Sequence, residues 1–363
     1  MLRREFNRNL LGLPLAAALP SMAWAAGEID PHLLPPGGSI TDVPGLKVGH
    51  FTHTERPTGC TVMLCEAGAT AGVDVRGSAP GTRETDLLSP INSVQQVNAI
   101  LLSGGSAYGL DAAGGVMRYL EEQKAGYKIG ALGVVPIVPA AILMDLGVGN
   151  FKIRPNAESG YKACQAASSS PVAEGCVGAG AGATIGKMFG PKFSMKSGLG
   201  TASVKIGDTG IVVGALVAVN AVGDVVNPQS GKVVAGARSE DGKGYRDSMA
   251  AMMSGYRVVM QRGANTTIGV VATNAKFTKT QMTKIAQMAH DGYARAINPV
   301  HTMSDGDTIF SMSTGTIDTQ ADESAIGAIA ATVMSRAIVR AAMQATSVPE
   351  LGLVAYRDYA GRG

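Results

Sequence analysis

Apolar and polar positions along this chain fall into two alternating patterns. Short runs dense in branched aliphatic residues read as buried strands. They are "VNAILLSG" (Val97–Gly104), "TGIVVGALVAVNAVGDVV" (residues 209–226, one or two strands with a turn near Asn220–Asp224), "GANTTIGVVATNA" (Gly263–Ala275) and "DTIFSMST" (residues 307–314). Longer runs with apolar positions three or four apart read as helices. One is expected from about Tyr108 to Lys124, ended by Gly126. A second is "TKTQMTKIAQMAHDGYARAI", where Thr278 and Gln281 make a capping box and Ile285, Met288, Ala289 and Ala296 share a face. The last is "SAIGAIAATVMSRAIVRAAMQA" near the C-terminus. Strands and helices alternate, which predicts an α/β or layered α+β fold. No internal repeat appears, and no linker divides the chain.

Composition sharpens this. The chain has 363 residues, 45% apolar, 16% charged and only 5% aromatic, with 48 glycines. Such a core of small and branched residues suits closely stacked layers. A net charge of +3, with no basic stripe interleaved with aromatics, does not point to nucleic acid. Residues 1–25 read as an export leader: Arg3, Arg4 and Arg8, then "LLGLPLAAALP", then the small residues Ala23–Ala25 before a cut at Ala26. "RREF" resembles a twin-arginine signal, and the apolar run is short for a membrane span. The expected location is periplasmic or secreted, with no membrane partner. Residues 27–40 form a proline- and glycine-rich lead-in. Cys60, Cys65, Cys164 and Cys176 lack metal-ligand spacing and are expected as free thiols, although Cys60 and Cys65 fit one hairpin.

Several motifs fail on inspection. "AGATIGKM" (Ala181–Met188) resembles a phosphate-binding loop but lacks its first glycine and has Met188 at the Mg²⁺-binding position. "GGSAY" (Gly104–Tyr108) resembles a nucleophile elbow but ends in Tyr108 instead of glycine. "HTMSDGD" (His301–Asp307) lacks the remainder of a calcium loop. Neither a metal nor a cofactor is expected.

A different chemistry joins "NTT" to that acidic loop. The Thr266 hydroxyl is placed to attack the carbonyl of Asn265, giving an ester that water opens. The new chain then begins at Thr266, and its α-amine, with a reference pKa of about 7.7–8.0, is a usable base. Asp305 and Asp307 share one side of an extended segment and can serve one ammonium or hydroxyl. On residue chemistry alone, "NTT" is equally a turn into a strand, and "SDGD" a polar turn.

Seven ordered blocks tip the balance: "TDVPGLKVGH", "PTGCTV", "RGSAPGTRETDLL", "AILLSGGSAYGLDAAGGVMRYLEE", "GAGAGATIGK", "NTTIGVVATNA" and "HTMSDGDTIF". Together they resemble the self-processing P1/S58 aminopeptidase family, which includes L-aminopeptidase/D-Ala-esterases, β-aminopeptidases and nylon-oligomer (6-aminohexanoate oligomer) hydrolases. "RGSAPGTRETDLL" is similar to the aminopeptidase branch, whereas "NTT" with "HT…DGDT" is most like the nylon-oligomer branch. The resemblance implies a four-layer αββα sandwich of the N-terminal-nucleophile-like type, one domain assembled as a homo-oligomer, a tetramer of processed protomers. It implies autocleavage between Asn265 and Thr266, giving a large chain of residues 26–265 and a small chain of residues 266–363. Thr266 is then the nucleophile, and Asp305 and Asp307 match the acidic pair. Asn220 matches an oxyanion-stabilising asparagine, and Lys187 a lysine near the site. His301 reads as a supporting loop residue. Met144 stands where several relatives carry tyrosine, so a phenolic hydroxyl is missing.

The expected activity is amide hydrolysis of small amine-bearing peptides, amino-acid amides or esters, or linear amide oligomers. Two alternatives share the fold: an acyltransferase like those that move acetyl to ornithine, and a non-enzymatic exported binding protein.

Overall fold

The computed structural model describes residues 36–256, 263, 265–319 and 321–361. The expected export leader of residues 1–25 and most of the lead-in lie outside the described residues.

Nine strands share one hydrogen-bonded sheet: β1 Lys47–Thr52, β2 Gly59–Val75, β3 Thr82–Arg83, β4 Gln96–Ser103, β5 Ala140–Ile142, β6 Leu199–Lys205, β7 Val212–Asn220, β8 Thr266–Ala275 and β9 Thr308–Ile317. Their order is β6-β7-β8-β9-β2-β4-β5-β3, with β1 also on β2. The long β2 serves both halves. Its residues Gly59–Leu64 pair with β1, and its residues Thr70–Val75 pair with β9. Its register with β4 shifts between Leu64 and Ala69. The helices are α1 Ala112–Glu122, α2 Ala157–Gln165, α3 Ser248–Met253, α4 Lys279–Ala296 and α5 Glu323–Gln344.

Three apolar cores show how these elements stack. In the first, Val213, Ala215, Val217 and Val219 of β7 meet Ile285, Ala289 and Tyr293 of α4 and Met334 and Ile338 of α5. Alternate residues of the same strands, Leu216, Ala218, Ile268, Val270 and Phe310, enter a second core with Met63, Ile100 and Leu102 from the other half of the sheet. The outward residues of that half, Val62, Leu64, Ala99 and Leu101, form the third core with Val116 and Leu120 of α1 and Ala163 of α2. Helix–sheet, sheet–sheet and sheet–helix cores are the four layers of an αββα sandwich. Strands buried on both faces explain why they read as continuous apolar runs. Small residues allow the close stacking. A Cβ on Gly115 of α1 would sit 1.6 Å from the Ala157 carbonyl oxygen, and one on Gly160 of α2 would sit 1.9 Å from that of Ala112.

The structure departs from the pattern reading in two places. The first turn of the helix expected from Tyr108 is a 3-10 turn, Ser106–Asp111, and α1 proper ends at Glu122, with Lys124 at φ +56° closing it ahead of Gly126. Cys60 and Cys65 lie on one strand, not on a hairpin. They point into the third and second cores respectively, and all four cysteines are free thiols. The capping box at Thr278 and Gln281 forms as read.

Candidate active site

The topology brings three strand ends together. Asn220, the last residue of β7, pairs with Thr266, the first of β8. Strand β9 runs parallel to β8, with Thr308 beside Ile268, so the acidic loop preceding β9 arrives at the same edge. Asn265 and Asp305 form a parallel bridge there. Residues 46 and 39 positions from Thr266 are thereby placed around it.

Thr266 is 2% exposed. Its hydroxyl donates to the carbonyl oxygen of Asn265, and the Gly306 amide donates to that oxygen from 3.1 Å. The Asn265 amide donates to Ser304 at 3.3 Å. The peptide bond between Asn265 and Thr266 is therefore held on the acidic loop. Gly306 has to be glycine, because a Cβ would lie 2.5 Å from the Ala79 carbonyl oxygen and 2.8 Å from Thr266 Oγ1.

The two carboxylates do not converge on one group, as an extended segment would have made them do. A turn at Thr302–Asp305 separates them. Asp305 Oδ2 accepts from the Thr302 amide at 3.0 Å and from its hydroxyl at 2.5 Å, while Oδ1 is buried without a partner. Asp307 Oδ1 accepts from the Thr267 amide at 2.8 Å. Its Oδ2 accepts from the His301 amide at 3.1 Å and lies 2.8 Å from His301 Nδ1. Burial first, then the neighbouring Asp307, raises the Asp305 pKa to about 6. His301, at φ +55°, packs edge-on to His290 and stacks on Tyr293. It thus supports Asp307 and does not touch Thr266.

On the other side, Lys187 Nζ donates to Asn220 Oδ1 at 2.7 Å and to its carbonyl at 3.1 Å. Asn220 Oδ1 also accepts from the Thr184 amide, and Nδ2 donates to the Met144 carbonyl at 2.9 Å. One hydrogen of the Asn220 amide is thus committed to backbone and one remains. Lys187 is half-buried overall, but its ammonium is turned inward, and that burial pulls its pKa down to about 7. The Ala181–Met188 stretch places this lysine by a short 3-10 turn, not by the long helix of a phosphate loop. "GGSAY" does make a strand–turn–helix with Ser106 at φ +54°, yet among the described residues no histidine bonds its hydroxyl. Nor do three His, Cys, Asp or Glu side chains gather as a metal site among those residues.

A cavity of about 960 Å³ opens beside Asn265, with Met144, Thr184 and Lys187 in its wall. Sequence reading missed what shapes its floor. Arg56 and Asp145 form a fully buried ion pair at 2.8 Å. Arg56 also donates to the carbonyls of Val148 and Ile153, each at 2.6 Å, and so clamps the wall segment after Asp145. Thr58 and the Gly105 amide complete the Asp145 shell. Residues 89 positions apart carry no local signal of such a pair. Removing one partner strands a buried charge, so Arg56→Met is expected to destabilise the fold by about 3–5 kcal/mol. Denaturant titration of the variant checks this.

The family model described as Peptidase family S58 matches residues 38–352. The chain belongs to peptidase family S58. It is 42% identical to an uncharacterized aminopeptidase of Mycobacterium leprae, over 86% of this chain and 92% of that one. It is 32% identical to a 6-aminohexanoate-oligomer endohydrolase of Kocuria sp., over 83% of this chain and 85% of that one. Among solved structures, it superposes on the L-aminopeptidase D-Ala-esterase/amidase of Ochrobactrum anthropi, a variant of the Ntn hydrolase fold. The TM-score is 0.64 at 20% identity, covering 88% of this chain and 89% of that one. A Burkholderia sp. β-aminopeptidase gives 0.61 at 23% identity, covering 89% and 91%. As an S58 peptidase this chain is a hydrolase of amide bonds. Overall identity is higher to the mycobacterial aminopeptidase than to the oligomer endohydrolase, although the "NTT" and "HT…DGDT" blocks resembled the nylon-oligomer branch.

Proposed function

We propose that this S58 peptidase cuts itself between Asn265 and Thr266 and then uses Thr266 as an N-terminal nucleophile. The observation that carries the reading is the Asn265 carbonyl, held between the Thr266 hydroxyl and the Gly306 amide. In self-cleavage, Thr266 Oγ1 attacks that carbonyl carbon and Gly306 N–H stabilises the oxyanion. The C–N bond breaks, the hydroxyl proton ends on the Thr266 nitrogen, and an ester joins the two segments. Water opens the ester, leaving a carboxylate on Asn265 and a free hydroxyl and amine on Thr266. Asp305, with one oxygen unpartnered and a pKa near 6, is the group suited to carry the proton.

In turnover the Thr266 amine acts as base for its own hydroxyl. Asp307 fixes the strand start through Thr267, while Lys187 and the remaining Asn220 N–H face the developing oxyanion. Cleavage frees Asn265 and opens the cavity wall toward Thr266. The substrates proposed are small amine-bearing peptides, amino-acid amides or esters, and linear amide oligomers. The names of the relatives support this, as does an acidic cluster suited to an ammonium. The export leader of residues 1–25, the periplasmic or secreted location and the homotetramer belong to the same proposal and rest on the sequence.

Intact-mass measurement and N-terminal sequencing test the cut. A small chain of 98 residues from Thr266 to Gly363 is expected. A different start, or an active uncut chain, overturns the reading. Adding an amine acceptor to the assay is expected to leave the products hydrolytic; acyl transfer to the acceptor would point to the acyltransferase.

A further inference from the structure

The cavity beside Asn265 is cationic in a way the cleavage chemistry does not use. Arg238 and Lys192 line it together with Glu240. Arg238 Nη2 donates to the Lys192 carbonyl at 2.7 Å, and its Nε is buried without a partner. Arg238 thus reaches the cavity wall with donor capacity that its one protein partner does not use. The acids in the same wall are already engaged. Asp145 is neutralised by Arg56 at 2.8 Å, and the exposed Glu240 lies 3.6 Å from Arg246. Among the described residues no carboxylate lies within ion-pair distance of Arg238 or Lys192. The segment holding Arg238 is fixed: its amide donates to Phe193 at 2.8 Å, and it bridges to Tyr245.

We propose that Arg238, assisted by Lys192, binds the free carboxylate terminus of the substrate. Planar guanidinium donors match a carboxylate, and a fixed arginine loses little freedom on binding it. The preferred substrates are then short peptides or amide oligomers ending in a free acid, over the same molecules ending in an amide. This rests on the hydrolase reading above and narrows it. One other carboxylate has access to the cavity, the one that cleavage would leave on Asn265, and the experiment separates the two.

The test uses the processed protein and three substrates: a short amide oligomer with a free carboxylate, its C-terminal carboxamide, and an amino-acid p-nitroanilide. The wild type is expected to favour the acid over the carboxamide by about 10- to 100-fold, carried by KM. Arg238→Gln is expected to remove that preference while leaving the carboxamide and the anilide unchanged, and Arg238→Lys to restore part of it. Equal use of acid and carboxamide by the wild type overturns the proposal. So does an Arg238→Gln protein slowed alike on all three, which is the outcome if Arg238 instead holds the Asn265 carboxylate. Calorimetric binding of the acid and the carboxamide gives the same comparison without turnover. If none of the three substrates is hydrolysed but the acid still binds through Arg238, the hydrolase reading fails and the carboxylate site stands.

Discussion

The Thr266→Ala protein is expected to be isolated as one uncut chain with no measurable amidase activity. Both losses have one cause. The hydroxyl that donates to the Asn265 carbonyl is also the proposed nucleophile. The neighbouring Thr267 cannot replace it, because successive residues of a strand face opposite sides. The Thr267 hydroxyl is buried without a partner, and its amide is held by Asp307. Turnover is expected to fall by roughly 10⁴ or more, the scale seen when a nucleophile is removed. Thr266→Ser keeps the oxygen and is expected to remain cut and active at altered rates, while Thr267→Ala is expected to be milder than Thr266→Ala. Gel separation of the chains and an anilide assay read both effects. A cut and active Thr266→Ala protein would remove the nucleophile assignment.

Asp305→Asn is expected to act in opposite directions on activity and stability. An amide cannot take up or release the proton, so cleavage and turnover are expected to slow by about 10²–10⁴. Stability should change the other way. Burial raises the folded-state pKa of Asp305 to about 6, above the ordinary carboxylate value of 3.8. The stabilisation associated with the protonated carboxyl is full below about pH 4 and is lost as pH rises through 6. Asparagine stays neutral and still accepts the Thr302 bonds. In the uncut Thr266→Ala background, adding Asp305→Asn is therefore expected to give no gain at pH 4. Well above pH 6 the gain approaches about 3 kcal/mol, from a shift of roughly two pKa units. Thermal unfolding at pH 4 and pH 7.5 checks the difference. An equal effect at both pH values would show that the carboxyl is not the group whose ionisation burdens the fold.

The sequence marks the Asn265–Thr266 pair plainly and its surroundings poorly. "NTT" before an apolar run, and Asp305 and Asp307 two positions apart, are short-range patterns, and the structure sets both at one strand edge. Legibility drops where both faces of a strand are buried. Strand β2 has no clean alternation, so Cys60 and Cys65 read as a hairpin while they occupy opposite faces of one strand. The 3-10 turn at Ser106–Asp111 overlaps the expected helix from Tyr108, because its composition does not distinguish the two.

What the sequence by itself determined is local: the β8 and β9 strands, the α4 capping box at Thr278 and Gln281, the glycine- and alanine-rich runs that permit close layers, and the identity of the hydroxyl at position 266. These follow from periodicities of two and about three and a half residues, which operate within a single element. Tertiary structure alone decided that Asn220 faces Thr266 across a strand pair, that Lys187 turns its ammonium inward, that a turn sends Asp305 and Asp307 to different partners, and that Arg56 and Asp145 clamp the cavity floor. Each of those arrangements joins segments whose separation along the chain leaves no periodic trace. Each is fixed by the requirement that polar groups carried into a buried layer find partners there.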